Sequence, residues 1–348
     1  MDLICSPRQE NKILVKTRQT TKAMIPKQVF IEVTHRCNLK CVHCYLEGSC
    51  VNELSTHEFK NILDQFSDLG VFFIGFTGGE VFVRPDFLEI ADYARAKGIF
   101  YHIQTNGTFI NEEIADQMRE LNPTKVEISI YGATAKTHDA ITGVAGSFER
   151  SVAALRHLRE RNIRISMKTT IMNKNLAELR DLELLASEIG AIFIPDPLIS
   201  PGIKSSKDPI RYRLTDEQFK KFMVERSWHK ETEVNKVKVP LERKLICTAG
   251  LTKCTVAPDG HVYPCVLWRM SAGNLNKELF LDVWQGQLFK QIRSVKLEDL
   301  SVCSKCTQAH LCVRCPGFAY LDREDFLAPS PENCRMVKNL LEVREVDR

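Results

Sequence analysis

From residue 28 to about residue 200 the chain alternates short β-branched runs with amphipathic stretches of about 12 to 15 residues, the pattern of repeated strand–helix units around a parallel sheet. Six strands are predicted: Val29–Thr34, Val71–Phe76, Phe100–Thr105, Lys125–Tyr131, Arg164–Ile171 and Ala191–Pro195. Between them, Ser55–Leu69 reads as a helix with an apolar stripe of Leu54, Phe59, Ile62, Leu63 and Phe66, and Ser55 with Glu58 forms a capping box. Phe148–Arg159 repeats the pattern with Val152, Leu155 and Leu158. Six strands fall short of the eight that close the common parallel barrel, so the class is α/β, a partial (β/α)6 barrel over residues 28–200. Its functional rim is expected at the carboxyl ends of the strands, where the loops collect.

The periodicity fades after residue 200. Residues 201–246 are charged and interrupted by proline, with one helical patch at Thr215–Glu225, and read as a linker or lid. Residues 247–335 are rich in Gly, Pro and Cys with one further helix expected at Leu281–Arg293; such a module is expected to be held by metal instead of a core. Residues 336–348 form a tail, and residues 1–27 a basic leader.

Composition narrows the class. The chain has 348 residues, 44% hydrophobic and 26% charged, with a mean hydropathy of −0.19 and no apolar run long enough for a membrane span or a secretory signal. This predicts a globular, cytoplasmic protein without a membrane partner. The net charge of +4 matches the leader's excess, Arg8, Lys12, Lys16, Arg18, Lys22 and Lys27 against Asp2 and Glu10. No aromatic or Gly-rich element accompanies that charge, so it reads as a solvated arm and not as a nucleic-acid site.

The thirteen cysteines change the picture most, because a reduced compartment does not use them as disulfides. Cys37, Cys41 and Cys44 form a C-x3-C-x2-C loop after the first strand, and eight more run from Cys247 to Cys334. Three thiolates are one fewer than a closed tetrahedral zinc or a fully ligated cubane needs, which leaves a coordination position open. Eight make two complete four-thiolate sites. The spacing Cys303-x2-Cys306-x5-Cys312-x2-Cys315 is too tight for an ordinary zinc ribbon and is closer to iron–sulfur ligation. Cys5 and Cys50 are left over as ordinary thiols.

The loop CNLKCVHCY, the GGE at Gly78–Glu80, the TNG at Thr105–Gly107 and the run EISIYGA at Glu127–Ala133 resemble the radical SAM superfamily in order and spacing. The resemblance implies that Cys37, Cys41 and Cys44 hold three irons of a [4Fe-4S] cluster and that the fourth binds S-adenosylmethionine. It further implies that the sulfonium is reductively cleaved to a 5′-deoxyadenosyl radical, which takes a hydrogen from substrate. Gly78, Gly79 and Glu80 match the segment that meets the methionine amino group, with the carboxylate pairing an ammonium. Ser129 matches a residue reaching the ribose or methionine end, Asn106 shapes the same pocket, and Lys168 is placed to meet the methionine carboxylate.

The C-terminal array resembles the SPASM extension of these enzymes, through Gly260-x4-Cys265 and the Gly273–Leu275 and Val283-Trp284 segments. That likeness assigns Cys247, Cys254, Cys265 and Cys315 to one auxiliary [4Fe-4S] cluster and Cys303, Cys306, Cys312 and Cys334 to a second. The expected function is radical modification of a ribosomally made peptide, by crosslinking, epimerisation or oxidation, with a flavodoxin- or ferredoxin-type reductant. Only a short leader precedes the first strand, so either a separate protein is expected to recognise the leader peptide or the substrate has none. The alternative substrate is a tetrapyrrole side chain in a haem pathway. The alternative of another class is an iron–sulfur electron carrier, which would leave the open three-cysteine site without a use.

Overall fold

The structure, a computed structural model, describes residues 25–46, 52–204, 206–226 and 247–346. Cys5, Cys50, nearly all of the basic leader and much of the expected lid lie outside the described residues.

Six parallel strands stand side by side in chain order: β1 (Gln28–Thr34), β2 (Phe73–Gly78), β3 (Phe100–Thr105), β4 (Lys125–Ser129), β5 (Ile165–Thr170) and β6 (Ile192–Asp196). The helices on their outer face are α1 (Thr56–Leu69), α2 (Phe87–Ala96), α3 (Glu112–Leu121), α5 (Ser147–Glu160) and α6 (Leu179–Ile189), while α4 (Ala135–Thr142) lies by the cysteine loop. Alternation within β1 sets the two faces. Val29, Ile31 and Val33 are fully buried among the helices, while Phe30, Glu32 and Thr34 point the other way, into the barrel. Helix α1 begins at the Ser55–Glu58 capping box its sequence predicts, and it ends at Gly70 in the left-handed region.

β2 and β4 differ from expectation by two residues, for local reasons, while the other strands differ by at most one at either end. β2 starts at Phe73 because the Val71 amide is spent on Phe66 O (2.9 Å), closing the end of α1. β4 stops at Ser129 because the Tyr131 amide turns to donate to His138 Nδ1 at 3.1 Å.

The cysteine-rich module does not fold apart from the barrel. Its strand β7 (Lys253–Val256) pairs in parallel with β1, and β8 (His261–Tyr263) and β9 (Gly273–Asn274) continue antiparallel, giving one nine-stranded sheet in the order β6-β5-β4-β3-β2-β1-β7-β8-β9. The expectation that metal replaces a core here is corrected: Trp268, Phe280, Trp284 and Phe289 are fully buried and continuous with the barrel core. The single helix expected at Leu281–Arg293 is two, α8 (Phe280–Trp284) and α9 (Gln287–Ser294), broken where Gly286 is extended. The Trp284 carbonyl freed by the break accepts from Arg293 Nη2 at 2.9 Å. Helices α7 (Asp216–Glu225), α10 (Pro316–Arg323) and α11 (Pro331–Val346) complete the described chain, and α7 and α11 share a smaller core of Phe219, Phe222, Met223, Leu340 and Val343. Among the described residues no helix is long and apolar enough to cross a membrane.

Candidate functional site

A cavity of about 1080 Å³ runs down the barrel interior from the carboxyl rim toward Phe30 and Lys253. Cys37, Cys41 and Cys44 line one side, and Cys247, Cys254 and Cys265 line another. Gly78, Gly79, Asn106, Ser129 and Lys168 also face it. The carboxyl rim predicted from sequence is therefore where Cys37, Cys41, Cys44, Gly78, Gly79 and Asn106 gather.

The three-cysteine loop is fixed by backbone and by small anchors. Lys40 N donates to Thr142 O at 2.8 Å and Val42 N to Ile141 O at 3.0 Å, pinning the loop to the end of α4. Leu39 is buried between the first two cysteines, and the Leu39 amide points at Cys37 Sγ at 3.4 Å. Asn106 Nδ2 donates to Asn38 Oδ1 at 2.8 Å and lies 3.9 Å from Cys37 Sγ, so the TNG loop packs directly on the cysteine loop. His43 meets the Tyr131 ring edge-on at 4.5 Å, and burial lowers its pKa to about 4, leaving the imidazole neutral. Ser129 is hydrogen-bonded to Tyr131 and sits in register with Lys168 on the next strand.

The GGE segment packs tightly on the end of β1 and the start of the cysteine loop. A Cβ on Gly78 would stand 2.2 Å from Thr34 O, and one on Gly79 2.2 Å from Arg36 O. The glycines thus admit the chain's own cysteine loop, and Gly79 N and Glu80 N donate to those same carbonyls at 2.8 and 2.9 Å. Glu80 does not line the cavity. Its carboxylate is fully buried and accepts from Thr105 Oγ1 (2.6 Å), the Asn106 amide (2.6 Å) and the Phe82 amide (3.2 Å). Through these donors the carboxylate ties the TNG loop to the GGE segment. Burial raises the Glu80 pKa, against the lowering by these donors.

The eight C-terminal thiols fall into two neighbourhoods. Burial first, then the charges of Cys315 and Cys247, push the Cys265 thiol up to about 12, and Cys254 shares the cavity wall with Cys247 and Cys265. Cys312 is pushed up to about 11 by burial and then by Cys334, Cys303 and Cys306. In the first loop, burial and then Cys44 and Cys37 raise Cys41. Thiols that repel one another as anions suit a positively charged iron–sulfur centre, which relieves that repulsion; this is the sense in which the donor sets fit such a group. Among the described residues no three His, Cys, Asp or Glu side chains are close enough to grip a bare metal ion.

Sequence reasoning missed several polar groups of the barrel interior. Glu127 and Gln104 line the cavity and bond each other at 2.8 Å, with Lys125 on the far side of Glu127. Glu32 is buried against Arg269, Tyr45 and His35. A polar residue at an inward position of an otherwise β-branched strand was the available signal for Glu32; nothing local marks Arg269.

Comparison with known proteins agrees with this architecture. The radical SAM superfamily model matches residues 31–186, and that of an iron–sulfur cluster-binding domain matches residues 247–307. The chain is 30% identical over 342 residues to an AdoMet-dependent heme synthase of Nitratidesulfovibrio vulgaris, covering 88% of this chain and 91% of that protein. It is 31% identical over 298 residues to the mycofactocin maturase MftC of Mycobacterium tuberculosis, covering 81% of this chain and 75% of that one. The structure of Streptococcus suis SuiB bound to precursor peptide SuiA shares the fold, with a TM-score of 0.72 at 17% identity over 96% of this chain and 82% of that chain.

Proposed function

The chain belongs to the radical SAM superfamily and carries its iron–sulfur cluster-binding domain, and on that premise we propose that it is an enzyme with three [4Fe-4S] clusters that modifies a peptide side chain by hydrogen abstraction. The observation that carries this reading is the shared cavity, with Cys37, Cys41 and Cys44 on one wall and Cys247, Cys254 and Cys265 on another. Cys37, Cys41 and Cys44 would hold the first cluster; Cys247, Cys254, Cys265 and Cys315 the second; Cys303, Cys306, Cys312 and Cys334 the third. When bound, S-adenosylmethionine on the first cluster supplies a 5′-deoxyadenosyl radical able to take a hydrogen atom from carbon.

The chain's own residues hold and shield that chemistry. Lys168 brings a positive charge into the cavity beside Ser129, suited to the methionine carboxylate, and Asn106 orders the loop that carries Cys37. His43 packs edge-on against Tyr131 beside the three-cysteine loop. Glu80 acts as a positioning residue, its carboxylate holding the TNG loop and its amide the cysteine loop through Arg36 O. The maturase likeness and the peptide held by the same fold in SuiB support a peptide substrate. A low-potential flavodoxin- or ferredoxin-type donor, a cytoplasmic setting that keeps the thiols reduced, and a separate leader-recognition protein complete the proposal.

A tetrapyrrole substrate is the second reading, favoured by the nearly end-to-end similarity to AdoMet-dependent heme synthase. The test is anaerobic reconstitution, an iron count, and an assay for 5′-deoxyadenosine with a strong reductant. Three cubanes predict about 12 irons per chain, about eight of them surviving when Cys37, Cys41 and Cys44 are all changed to Ala, with deoxyadenosine lost only in that variant. Zinc in place of iron, or iron without cleavage, overturns the enzyme reading. Synthetic peptides and an iron porphyrin carrying propionate groups, offered in parallel, separate the two substrates by which one loses a hydrogen.

A further inference from the structure

Glu32 projects inward from β1 with no exposed surface, and four donor contacts converge on its carboxylate. Arg269 binds it as a fork, Nη1 to Oε2 at 2.8 Å and Nη2 to Oε1 at 2.6 Å. Tyr45 Oη donates to Oε1 at 3.2 Å, and His35 Nε2 lies 3.2 Å from Oε2. These donors come from the flanks of two different thiol sites. Tyr45 follows Cys44 directly, and His35 stands two residues before Cys37. Arg269 stands four residues after Cys265, next to the buried Trp268, and its guanidinium lies 5.0 Å from the ring of Tyr263, two residues before Cys265.

Stability alone is a poor reason for this arrangement. A buried ion pair gives up the hydration of both charges, and an apolar pair of equal volume is often no less stable. Arg269 Nε is moreover buried without a hydrogen-bond partner, which adds to the cost. What the fork supplies is direction, since two parallel N–H···O bonds fix both the distance and the plane of the guanidinium. Building on the cluster assignment above, we propose that Glu32 and Arg269 form a positioning pair that sets the orientation of the three-cysteine loop against the Cys247–Cys254–Cys265–Cys315 site. One carboxylate on the first strand is the common reference for both.

The reconstituted full chain tests this through Arg269→Lys, which keeps the charge and loses the fork, and through the double variant Glu32→Leu with Arg269→Met, which removes both charges. The readouts are iron content and the magnetic dipolar interaction between the reduced cluster on the three-cysteine loop and its nearest neighbour, read from the paramagnetic resonance line shape. We expect both variants to keep their iron and to show an altered dipolar interaction, with deoxyadenosine formation reduced about 10-fold, the usual effect of losing a partner that orients metal ligands. An unchanged line shape in the double variant overturns the proposal. Should the double variant fail to fold, an unchanged line shape in Arg269→Lys overturns it equally. A parent protein that takes up no iron fails earlier and tells against the cluster assignment instead.

Discussion

Cys254 and Cys306 belong to the same cysteine-rich module, yet one is sealed inside a sheet and the other stands in solvent. Cys254 lies on β7, in register with Val29 of the first barrel strand, and around it Trp268, Phe280, Trp284 and Phe289 join the main core. Cys303 and Cys306 bracket a single short turn, Cys312 closes another, and the neighbouring Val302 and Val313 are 58% and 84% exposed. Only Cys334 of that second group sits on a full helix, α11, which is anchored by its own small core against α7. On the proposed assignment, where strands and aromatic side chains already fix the thiols a cluster would be added to a formed site, and where turns carry them the cluster would have to supply the order itself.

Removing the metal gives the largest test of that difference. We predict that anaerobic chelation lowers amide-exchange protection across residues 301–315 by about 1,000-fold or more, while β7 and α9 stay within about 10-fold of the loaded protein. Hydrogen exchange followed by mass spectrometry measures both regions in one sample. Equal loss in the two would show that the sheet does not carry the first site as the geometry implies.

The same division explains what could be read from sequence. The barrel was legible because its strands and helices announce themselves by period, and because Ser55 and Glu58 punctuate α1 where the pattern begins. The cysteine groups were legible because spacing along the chain is close to spacing in space when ligands share one loop. Three things were not. The addition of β7 to β1 joins residues more than two hundred positions apart, and nothing in KCTV names its partner. The break at Gly286 interrupts the stretch expected as one helix at Leu281–Arg293, and the bond from Arg293 to the Trp284 carbonyl that accompanies it leaves no mark in the sequence. The bonds from Thr105 and Asn106 to Glu80 are set by loop packing and not by residue type.

Mutations sharpen the comparison in decreasing order. Trp284→Ala removes a fully buried indole from the junction core and should cost about 3–5 kcal/mol in the iron-free chain, whereas Val313→Ala beside the second group should stay within about 0.5 kcal/mol. Denaturant midpoints of the two iron-free variants decide it; a similar cost for both would erase the distinction. Glu80→Gln should cost about 1–3 kcal/mol without any S-adenosylmethionine present, because an amide cannot accept from both the Thr105 side and the Asn106 amide through two oxygens. If the iron-free stability does not move, the carboxylate is not the brace the geometry makes it.

The smallest effect lies at the anchor of α11. Asp216, at the start of α7, accepts from Asn339 Nδ2 and Arg335 Nη1, both at 2.8 Å, and these donors hold its carboxyl below the ordinary value of 3.8. A lowered folded pKa means the contribution is present above the unfolded value and disappears as pH falls through the folded one. The side chain is nearly half exposed, so solvent screens the contact and Asp216→Asn should cost only about 0.5 kcal/mol near neutrality. That difference between parent and variant should vanish on acidification below 3.8 in the iron-free chain, as both side chains become neutral. Because α11 also carries Cys334, the variant should release iron slightly faster from the second group than from the first at neutral pH. Equal release from both would place the anchor of the second site elsewhere than in the contact between α7 and α11.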